Sequence, residues 1–315
     1  MSEPLEHDAH LRRYDDLAQM IGDAENPTPI VRLNRVVPTG GGPLYVKLEW
    51  MNPFGSVKDR AAKWMLEALE SGGELEGKTI VEATSGNTGI ALAAMATLMG
   101  HPMIATVPHT MPAEKAVFLE ALGARLVETA ASGSGRHPMD IAYDLAEELV
   151  SREGYVMPDQ YANPDNARAH YETTGPEIWR QTEGRIRYFF AGFGTCGTIT
   201  GVGRYLKERD PSIRIVAIEP VEGHKISGLK NLTETSVPAV LDRSVIDEVV
   251  PVDDEQTCEV ALRLHREEAL FAGSSSAAIV AGALRYLEGR EGVAVAIAPD
   301  SSLKAASYLA HMLGR

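Results

Sequence analysis

Short apolar runs alternate with amphipathic stretches along most of this 315-residue chain. Thr79–Ala83 and Met103–Val107 have the length of buried strands, and the stretches that follow them, Ile90–Met99 and Ala113–Leu122, are closed by glycines. Strands linked by helices run in the same direction, so the alternation predicts an α/β architecture with a largely parallel sheet. The pattern returns in the second half, with strands predicted at Tyr188–Ala191, Ile213–Ile218 and Val293–Ala298 and helices at Thr198–Glu208, Glu255–Glu268 and Ser275–Leu287.

Composition excludes several kinds of partner. The 44 acidic residues outnumber the 30 basic ones, and the net charge of -14 would repel nucleic acid and anionic membranes. No apolar run approaches the roughly 20 residues that span a bilayer, and Met1 to Asp23 contains no apolar signal-peptide core. The two cysteines, Cys196 and Cys258, form no CxxC spacing. We therefore expect a cytoplasmic protein without a metal site.

The segment from Asn52 to Arg60, NPFGSVKDR, carries the first candidate for chemistry. A predicted strand, Leu44–Leu48, leads through an Asn-Pro and Gly turn into a helix expected to begin near Ser56. The positive end of the helix dipole would disfavour the ammonium of Lys58 and lower its pKa, as would partial burial. A neutral amine forms Schiff bases, although a surface lysine paired with an acidic neighbour is the alternative.

The second candidate is the loop TSGNTG, Thr84 to Gly89, between a predicted strand and an alanine-rich helix. Its glycines permit a tight turn, and its hydroxyl and backbone N–H groups can converge on one point. Such a loop at a helix N-terminus binds a carboxylate or a phosphate. An ordinary strand-to-helix turn is the alternative interpretation.

A third loop, Gly192 to Gly197, has the pattern GxGxxG between a strand and a helix. Because Glu219 ends the next strand, this loop also fits a dinucleotide fingerprint, and an NAD-dependent dehydrogenase is a competing hypothesis. Backbone N–H groups bind a single phosphate ester equally well, and the loop follows a complete α/β half that already contains an anion-binding loop. We therefore favour a single phosphate. Cys196 is interpreted as a small loop residue and not as a nucleophile.

The fourth segment, Pro299 to Ser302, follows the last predicted strand. In open α/β folds the carboxyl ends of strands line ligand crevices. A neutral serine hydroxyl there could bond to a ring nitrogen without forcing its protonation, although a helix cap is the simpler interpretation.

Taken together, these segments resemble the cysteine synthase and cystathionine β-synthase family of pyridoxal-phosphate enzymes, which have the fold of the tryptophan synthase β-chain. The resemblance runs from Asn26 to Ser301 and includes DQYANPDN from Asp159 and HYETTGPEIW from His170. It implies the type II fold of these enzymes, with two open twisted α/β sub-domains and the cofactor between them. The expected division places residues 44–160 in an N-terminal domain and residues 1–43 with 161–315 in a C-terminal one.

The resemblance also implies roles for individual residues. Lys58 matches the Schiff-base lysine, which also acts as the catalytic base, and Asn87 matches the residue that bonds the cofactor's ring hydroxyl. The substrate carboxylate would be held by Thr84, Ser85, Gly86, Asn87, Thr88 and Gln160. The cofactor phosphate would be held by Gly194, Thr195, Cys196, Gly197 and Thr198. Ser301 matches the partner of the pyridine nitrogen, and the family implies a homodimer.

The chain departs from the family pattern near the substrate. After His224-Lys225-Ile226 the usual glycine-rich continuation is replaced by SGLKNL, so that Gly228 and Lys230 would face the substrate. This segment resembles O-phosphoserine-using cysteine synthases of some actinobacteria and archaea, which carry arginine at the position of Lys230. We expect β-replacement of O-phosphoserine, or next O-acetylserine, by sulfide to give L-cysteine. Cystathionine synthesis and cysteine breakdown are the alternatives. Cys196 also replaces a frequent glycine, and the family's Gly-Glu-Arg-Tyr run is missing after Ser301.

Overall fold

The computed structural model describes residues 12–37, 40–84, 86–111, 113–130, 136 and 138–313. Within these ranges ten strands form two sheets. The strands are β1 (Ile30–Arg32), β2 (Leu44–Leu48), β3 (Thr79–Ala83), β4 (Met103–Val107), β5 (Arg125–Glu128), β6 (Tyr155–Val156), β7 (Ile186–Gly192), β8 (Arg214–Pro220), β9 (Glu248–Val252) and β10 (Val293–Ala298).

Helices cover the sheets and connect the strands. They are α1 (Lys58–Ser71), α2 (Asn87–Met99), α3 (Ala113–Ala121), α4 (Pro138–Val150), α5 (Pro164–Ala169), α6 (Gly175–Gln181), α7 (Gly197–Arg209), α8 (Asp254–Glu268), α9 (Ser274–Tyr286) and α10 (Ala306–Met312). Short 3₁₀ turns lie at Leu17–Met20, Glu49–Met51, Arg243–Val245 and Ser302–Lys304. The structure confirms the α/β class and the type II fold that we expected from the sequence.

The larger sheet has six strands in the order β1-β2-β10-β7-β8-β9. Only the short edge strand β1 is antiparallel to its neighbour; the remaining pairs are parallel. Strand β2 pairs with β10 over Leu44–Leu48, in register from Ala294 to Ala298. The hydrogen bonds of β2 therefore lie in the sheet of the C-terminal half, whereas the expected division counted this strand with the N-terminal domain.

The smaller sheet is parallel and has four strands in the order β5-β4-β3-β6. All four come from residues 79–156, so this sheet and its helices form one continuous stretch of chain. We call residues 79–156 the smaller unit and the elements around the six-stranded sheet the larger unit.

Both faces of the larger sheet are covered, which explains its continuous apolar runs. Successive side chains of a strand point to opposite faces, and Phe189 and Phe190 of β7 are both fully buried. Phe190 packs in a cluster with α8 and α9, whereas Phe189 packs in a separate cluster with α7. The sheet is therefore packed on each face by a separate hydrophobic core, and these two cores fix the positions of its strands.

The stretch 157–175 is mostly helical. It contains α5 and a five-residue π-helical turn, His170–Thr174, that runs directly into α6. Asn163 caps α5 by accepting a hydrogen bond from the Asp165 backbone N–H at 2.9 Å, and Pro164 follows it, a favourable N-terminal pair. Among the described residues, no helix combines the length and apolar character needed to cross a membrane.

A buried cluster of four charged side chains ties α1 to β2 and α6. Arg60 pairs with Glu49 at 2.7 Å and also with Glu177, while Lys47 pairs with Glu177 at 2.6 Å, and all four side chains are fully buried. Thr28 donates a hydrogen bond to Glu49 at 2.7 Å. Because Arg60 lies two residues after Lys58, this cluster fixes the first turn of α1 and so the position of the lysine.

Candidate active site

The segments singled out in the sequence lie at the carboxyl ends of β2, β3, β7 and β10. The backbone N–H of Val57 bonds the Pro299 carbonyl at 2.9 Å, which joins the turn before α1 to the end of β10. Asn87 at the start of α2 donates to Asp300 at 2.7 Å, which joins the smaller unit to the larger one. The strand ends therefore line one cleft between the two units, as expected for open parallel sheets.

Lys58 is the first residue of α1 and is half-buried. Its Nζ lies 3.2 Å from the Thr195 hydroxyl in the loop after β7. Desolvation lowers the pKa of Lys58 to about 8, against opposing fields from Cys196 and Asp300. A pKa in this range leaves a substantial fraction of neutral amine near physiological pH, which is the form that attacks a carbonyl.

The residue after the lysine holds the turn and does not pair with Lys58. Asp59 accepts a hydrogen bond from the Phe54 backbone N–H at 2.7 Å and another from the Ser56 hydroxyl at 3.2 Å. Burial raises the pKa of Asp59 to about 7. The structure therefore does not have the alternative arrangement, in which Lys58 forms an ordinary surface ion pair with an acidic neighbour.

The loop from Thr84 to Gly89 turns sharply into α2, which begins at Asn87, three residues earlier than predicted. The Thr84 hydroxyl accepts the Gly89 backbone N–H at 2.9 Å. A Cβ at position 89 would lie 2.5 Å from the Thr84 methyl group, so only glycine allows this close turn. The prediction for Ser85 falls outside the described residues.

Gln160 reaches this loop from the segment after β6. Its Oε1 accepts the Thr88 hydroxyl at 2.6 Å, and its Nε2 donates to the Ala83 carbonyl at 3.2 Å. Glu82 supports the segment by accepting the Asp159 backbone N–H at 2.9 Å. The structure thus brings Gln160 to Thr88 and the end of β3, where the sequence predicted one carboxylate-binding site.

The loop from Gly194 to Thr198 forms a cup at the N-terminus of α7. The first N–H groups of a helix have no intrahelical partner and carry partial positive charge. A Cβ at Gly197 would lie 2.0 Å from Asn166 Oδ1, so glycine is needed there for Asn166 to pack against the loop. Asn166 Nδ2 donates to the Thr195 hydroxyl at 3.1 Å, which fixes the residue facing Lys58.

Two further side chains set the chemistry of the cup. His170 bridges the hydroxyls of Thr198 (3.1 Å) and Thr174 (2.9 Å), and burial lowers the pKa of His170 to about 3, so the ring is neutral. Cys196 adopts a left-handed backbone conformation with φ of 67°. Burial raises the pKa of its thiol to about 11, so Cys196 stays protonated and is not an activated nucleophile.

Ser301 is buried next to the cleft, but its hydroxyl is already used. It donates to the Phe271 carbonyl at 2.8 Å and accepts the Leu303 backbone N–H at 3.3 Å, as a cap of the following 3₁₀ turn does. The residue that points to the cleft from this segment is Asp300, which accepts from Asn87 and, at 3.3 Å, from the Ser275 hydroxyl. The proposed contact between Ser301 and a ring nitrogen thus lacks a free hydroxyl hydrogen here.

The segment with Gly228 and Lys230 forms the opposite side of the cleft. Gly228 has a φ of 89° and approaches Ser275, with 3.5 Å between a Cβ built at position 228 and the Ser275 Cβ. The Lys230 backbone N–H bonds the Phe193 carbonyl at 2.7 Å, and its ammonium lies 4.0 Å above the Tyr161 ring. Lys230 also lines a cavity of about 430 Å³ together with Arg136 and Asp140.

The structure adds residues to which the sequence assigned no role. Asp300 and Asn166 stood inside quoted motifs, but nothing in their local pattern distinguished them from turn and cap residues. Glu82 lies in the middle of an apolar strand, and burial beside Asp159 raises the pKa of Glu82 to about 8. A buried acid in a strand was the one signal available, because such residues are rarely buried without a partner.

Comparison with known proteins decides the family. The family model described as "Pyridoxal-phosphate dependent enzyme" matches residues 21–300. The chain belongs to this family of pyridoxal-phosphate dependent enzymes. The GxGxxG loop therefore serves an enzyme of pyridoxal phosphate and not of a dinucleotide.

Several curated relatives and solved structures are similar to this chain over almost its entire length. Cysteine synthase B of Pseudomonas aeruginosa is 43% identical over 274 residues, covering 87% of this chain and 89% of the relative. Cysteine synthase B of Escherichia coli is 42% identical over 286 residues, covering 90% and 92%. The crystal structure of O-ureido-L-serine synthase superposes with a TM-score of 0.85 at 39% identity, covering 93% and 94%. A hydrogen sulfide-producing enzyme of Fusobacterium nucleatum gives a TM-score of 0.84 at 32% identity, covering 92% and 97%.

The residues of the cleft fit pyridoxal phosphate. The N-terminus of α7 has no side-chain cap, and such free N–H groups suit a phosphate group. Lys58, with its lowered pKa, suits a carbonyl at the other end of the cofactor. Asn87, which donates to Asp300 at the end of β10, would present its amide to the ring of the bound cofactor. When bound, this cofactor acts as an electron sink for charge that develops at the substrate's Cα.

Proposed function

We propose that this enzyme is a cysteine synthase, which replaces the β-substituent of an activated serine with sulfide to give L-cysteine. The observation that supports this most directly is the position of Lys58, whose amine has a lowered pKa and lies 3.2 Å from the Thr195 hydroxyl in the cup of α7. The relatives named cysteine synthase B add support, since they match nine-tenths of the chain at 42 to 43% identity.

Each group has a defined task in this reaction. The loop Thr84–Gly89 and Gln160 bind the α-carboxylate and so orient the Cα–H bond. Lys58 would hold the cofactor, and its free amine would take the Cα proton while the bond between Cβ and the leaving group breaks. Sulfide then forms the new bond to Cβ, and Lys58 returns a proton to Cα.

O-phosphoserine is our preferred donor and O-acetylserine the second. The support is Lys230, a half-buried cation at the edge of the cleft in a chain of net charge -14. Burial lowers the pKa of Lys230, whereas Asp140 and Cys196 act in the opposite direction, and the ammonium lies 4.0 Å from the centre of the Tyr161 ring. A doubly charged leaving group needs a cation, whereas acetate leaving from a neutral ester needs none to the same degree.

A donor panel tests the proposal. Phosphoserine, acetylserine and serine are each supplied with sulfide or homocysteine to the pyridoxal-phosphate-loaded protein, and the amino-acid products are identified. We expect cysteine from phosphoserine at the highest kcat/KM, then from acetylserine. Cystathionine from serine and homocysteine, or sulfide release from cysteine as the main activity, would replace the proposal with the matching alternative.

The resemblance further predicts a cytoplasmic homodimer. Light scattering coupled to size exclusion should give twice the 34.0 kDa chain mass.

A further inference from the structure

His170 and Thr174 are the first and last residues of the π-helical turn, and both are almost completely buried. The Nδ1 of His170 lies 2.9 Å from the Thr174 hydroxyl oxygen, and its Nε2 lies 3.1 Å from the hydroxyl oxygen of Thr198. Thr198 is half-buried in the first turn of α7, where the cup forms. The imidazole therefore links a hydroxyl in the protein interior to a hydroxyl in the cup.

The position of this imidazole is fixed by the close packing of α7 against the π-helical turn. A Cβ at Gly201 of α7 would lie 2.8 Å from the His170 Cβ, so glycine is required there for the helix to approach the turn. Arg60 of the buried charge cluster donates to the Thr173 hydroxyl at 3.0 Å, which ties the turn to that cluster. Both contacts hold the ring at a constant distance from the cup.

The surroundings of His170 determine which of its nitrogens carries the proton. Burial, with the nearby charge of Arg60, lowers the pKa of His170 to about 3. The neutral ring that results has one N–H donor and one acceptor nitrogen. Among the described residues, Nδ1 is the only hydrogen-bond partner of the buried Thr174 hydroxyl. Because an unpaired buried donor is costly, Thr174 donates to Nδ1, and the ring proton lies on Nε2.

The proton on Nε2 in turn sets the direction of the Thr198 hydroxyl. A threonine hydroxyl has one hydrogen and two lone pairs. Since Nε2–H donates to the Thr198 oxygen, the hydrogen of Thr198 remains for another acceptor. With the proton on Nδ1, Thr198 would have to donate to Nε2 and could turn only lone pairs toward the cup. Phosphate oxygens are negatively charged acceptors, so the first arrangement suits them and the second does not.

We propose that His170, as its Nε2–H tautomer, is a positioning residue that directs the hydroxyl hydrogen of Thr198 to the phosphate of the bound cofactor. The hydrogen bonds then point in one direction, from Thr174 to His170, from His170 to Thr198, and from there to a phosphate oxygen. The inference rests on the cup at Gly194–Thr198 and concerns cofactor binding alone. It does not depend on which serine derivative or sulfur source the enzyme uses.

The first test is the imidazole ¹⁵N spectrum of the native holoenzyme, with the His170 ring assigned from the backbone resonances. We expect Nε2 to resonate as a protonated nitrogen and Nδ1 as an unprotonated one. A protonated Nδ1 would overturn the inference. This measurement uses the native protein, so it decides the tautomer even where a variant of His170 fails to fold.

The second test is the affinity of the apoprotein for pyridoxal phosphate, measured by titration of the cofactor absorbance. Thr198→Val and His170→Phe should each weaken binding roughly tenfold or more, the effect of one hydrogen bond to a charged group. The double variant should lose no more than either single one. His170→Gln keeps an N–H donor near the Nε2 position and should retain most of the affinity. His101→Phe is the matched control, because His101 precedes β4 at the end of the sheet opposite the cleft, and it should bind as the native protein does.

Additive losses in the double variant would show that His170 does not act through Thr198 and would overturn the inference. Unchanged affinity in Thr198→Val would overturn it as well, because that hydroxyl would then not bind the phosphate. Failure of the proposed function is recognised separately, since the donor panel would yield no cysteine from protein that still binds the cofactor with native affinity.

Discussion

Replacing Lys230 with alanine should lower kcat/KM for O-phosphoserine and leave O-acetylserine nearly unchanged. The ammonium lies 4.0 Å above the Tyr161 ring and is half-buried, so it is held in place before the substrate arrives. Because the Lys230 side chain is already ordered, binding an anionic group costs little conformational entropy.

The magnitude follows from the dielectric at that position. Two unit charges 4 Å apart attract by about 1 kcal/mol in water and about 4 kcal/mol near a protein surface. Because Lys230 is half-buried, we take an attraction of about 2 kcal/mol, between the values for water and for a protein surface. This attraction corresponds to roughly a thirtyfold change in kcat/KM. The neutral ester of O-acetylserine gains none of this attraction.

The assay measures cysteine formation at fixed sulfide with each donor varied. Lys230→Met keeps the apolar stem and separates loss of charge from loss of packing. Lys225→Ala is the matched control, since Lys225 belongs to the same segment but is exposed. Equal losses on both donors in Lys230→Met, or no loss on phosphoserine, would show that Lys230 does not bind the leaving group.

Three further outcomes follow from the described contacts. Borohydride treatment of the holoenzyme should attach the cofactor to the tryptic peptide that contains Lys58, and a label on any other lysine would refute the assignment. Reconstitution of apoprotein with pyridoxal phosphate should accelerate as pH rises through about 8, because the reactive amine is neutral above the lowered pKa of Lys58; a midpoint near the ordinary lysine value of 10.5 would contradict this. Glu177→Gln leaves Lys47 without its ion pair and Arg60 with Glu49 alone, and should lower the free energy of unfolding by about 3 to 5 kcal/mol in urea titrations; a loss within error would show that the cluster is not stabilising.

Short buried strands between clear turn signals could be predicted to the residue. β3 and β4 have the predicted bounds because each is an apolar run buried on both faces between well-marked turns. The edge strands β1 and β9 were not predicted. β1 has three residues, and β9 carries Pro251 with alternating burial, so neither shows a continuous apolar signal.

The site could be predicted only where one loop supplies it. The turn at Thr84–Gly89 and the cup at Gly194–Thr198 are local structures, and their glycines are explained by contacts a few ångströms away. The hydrogen bond between Asn87 and Asp300 joins residues 213 positions apart, and no local pattern encodes such a pairing. For the same reason the sequence assigned no role to Asp300, and the contact of Ser301 with a ring nitrogen stays a prediction.

The order of strands in the larger sheet has a consequence for synthesis of the chain on the ribosome. The smaller unit ends at residue 156, so its sheet can assemble while the rest is still being translated. The larger sheet cannot, because β2 lies between β1 and β10, and β10 is the last strand of the chain. Until Val293–Ala298 has left the exit tunnel, β2 has an unpaired edge, and nascent chains should depend on chaperone protection there.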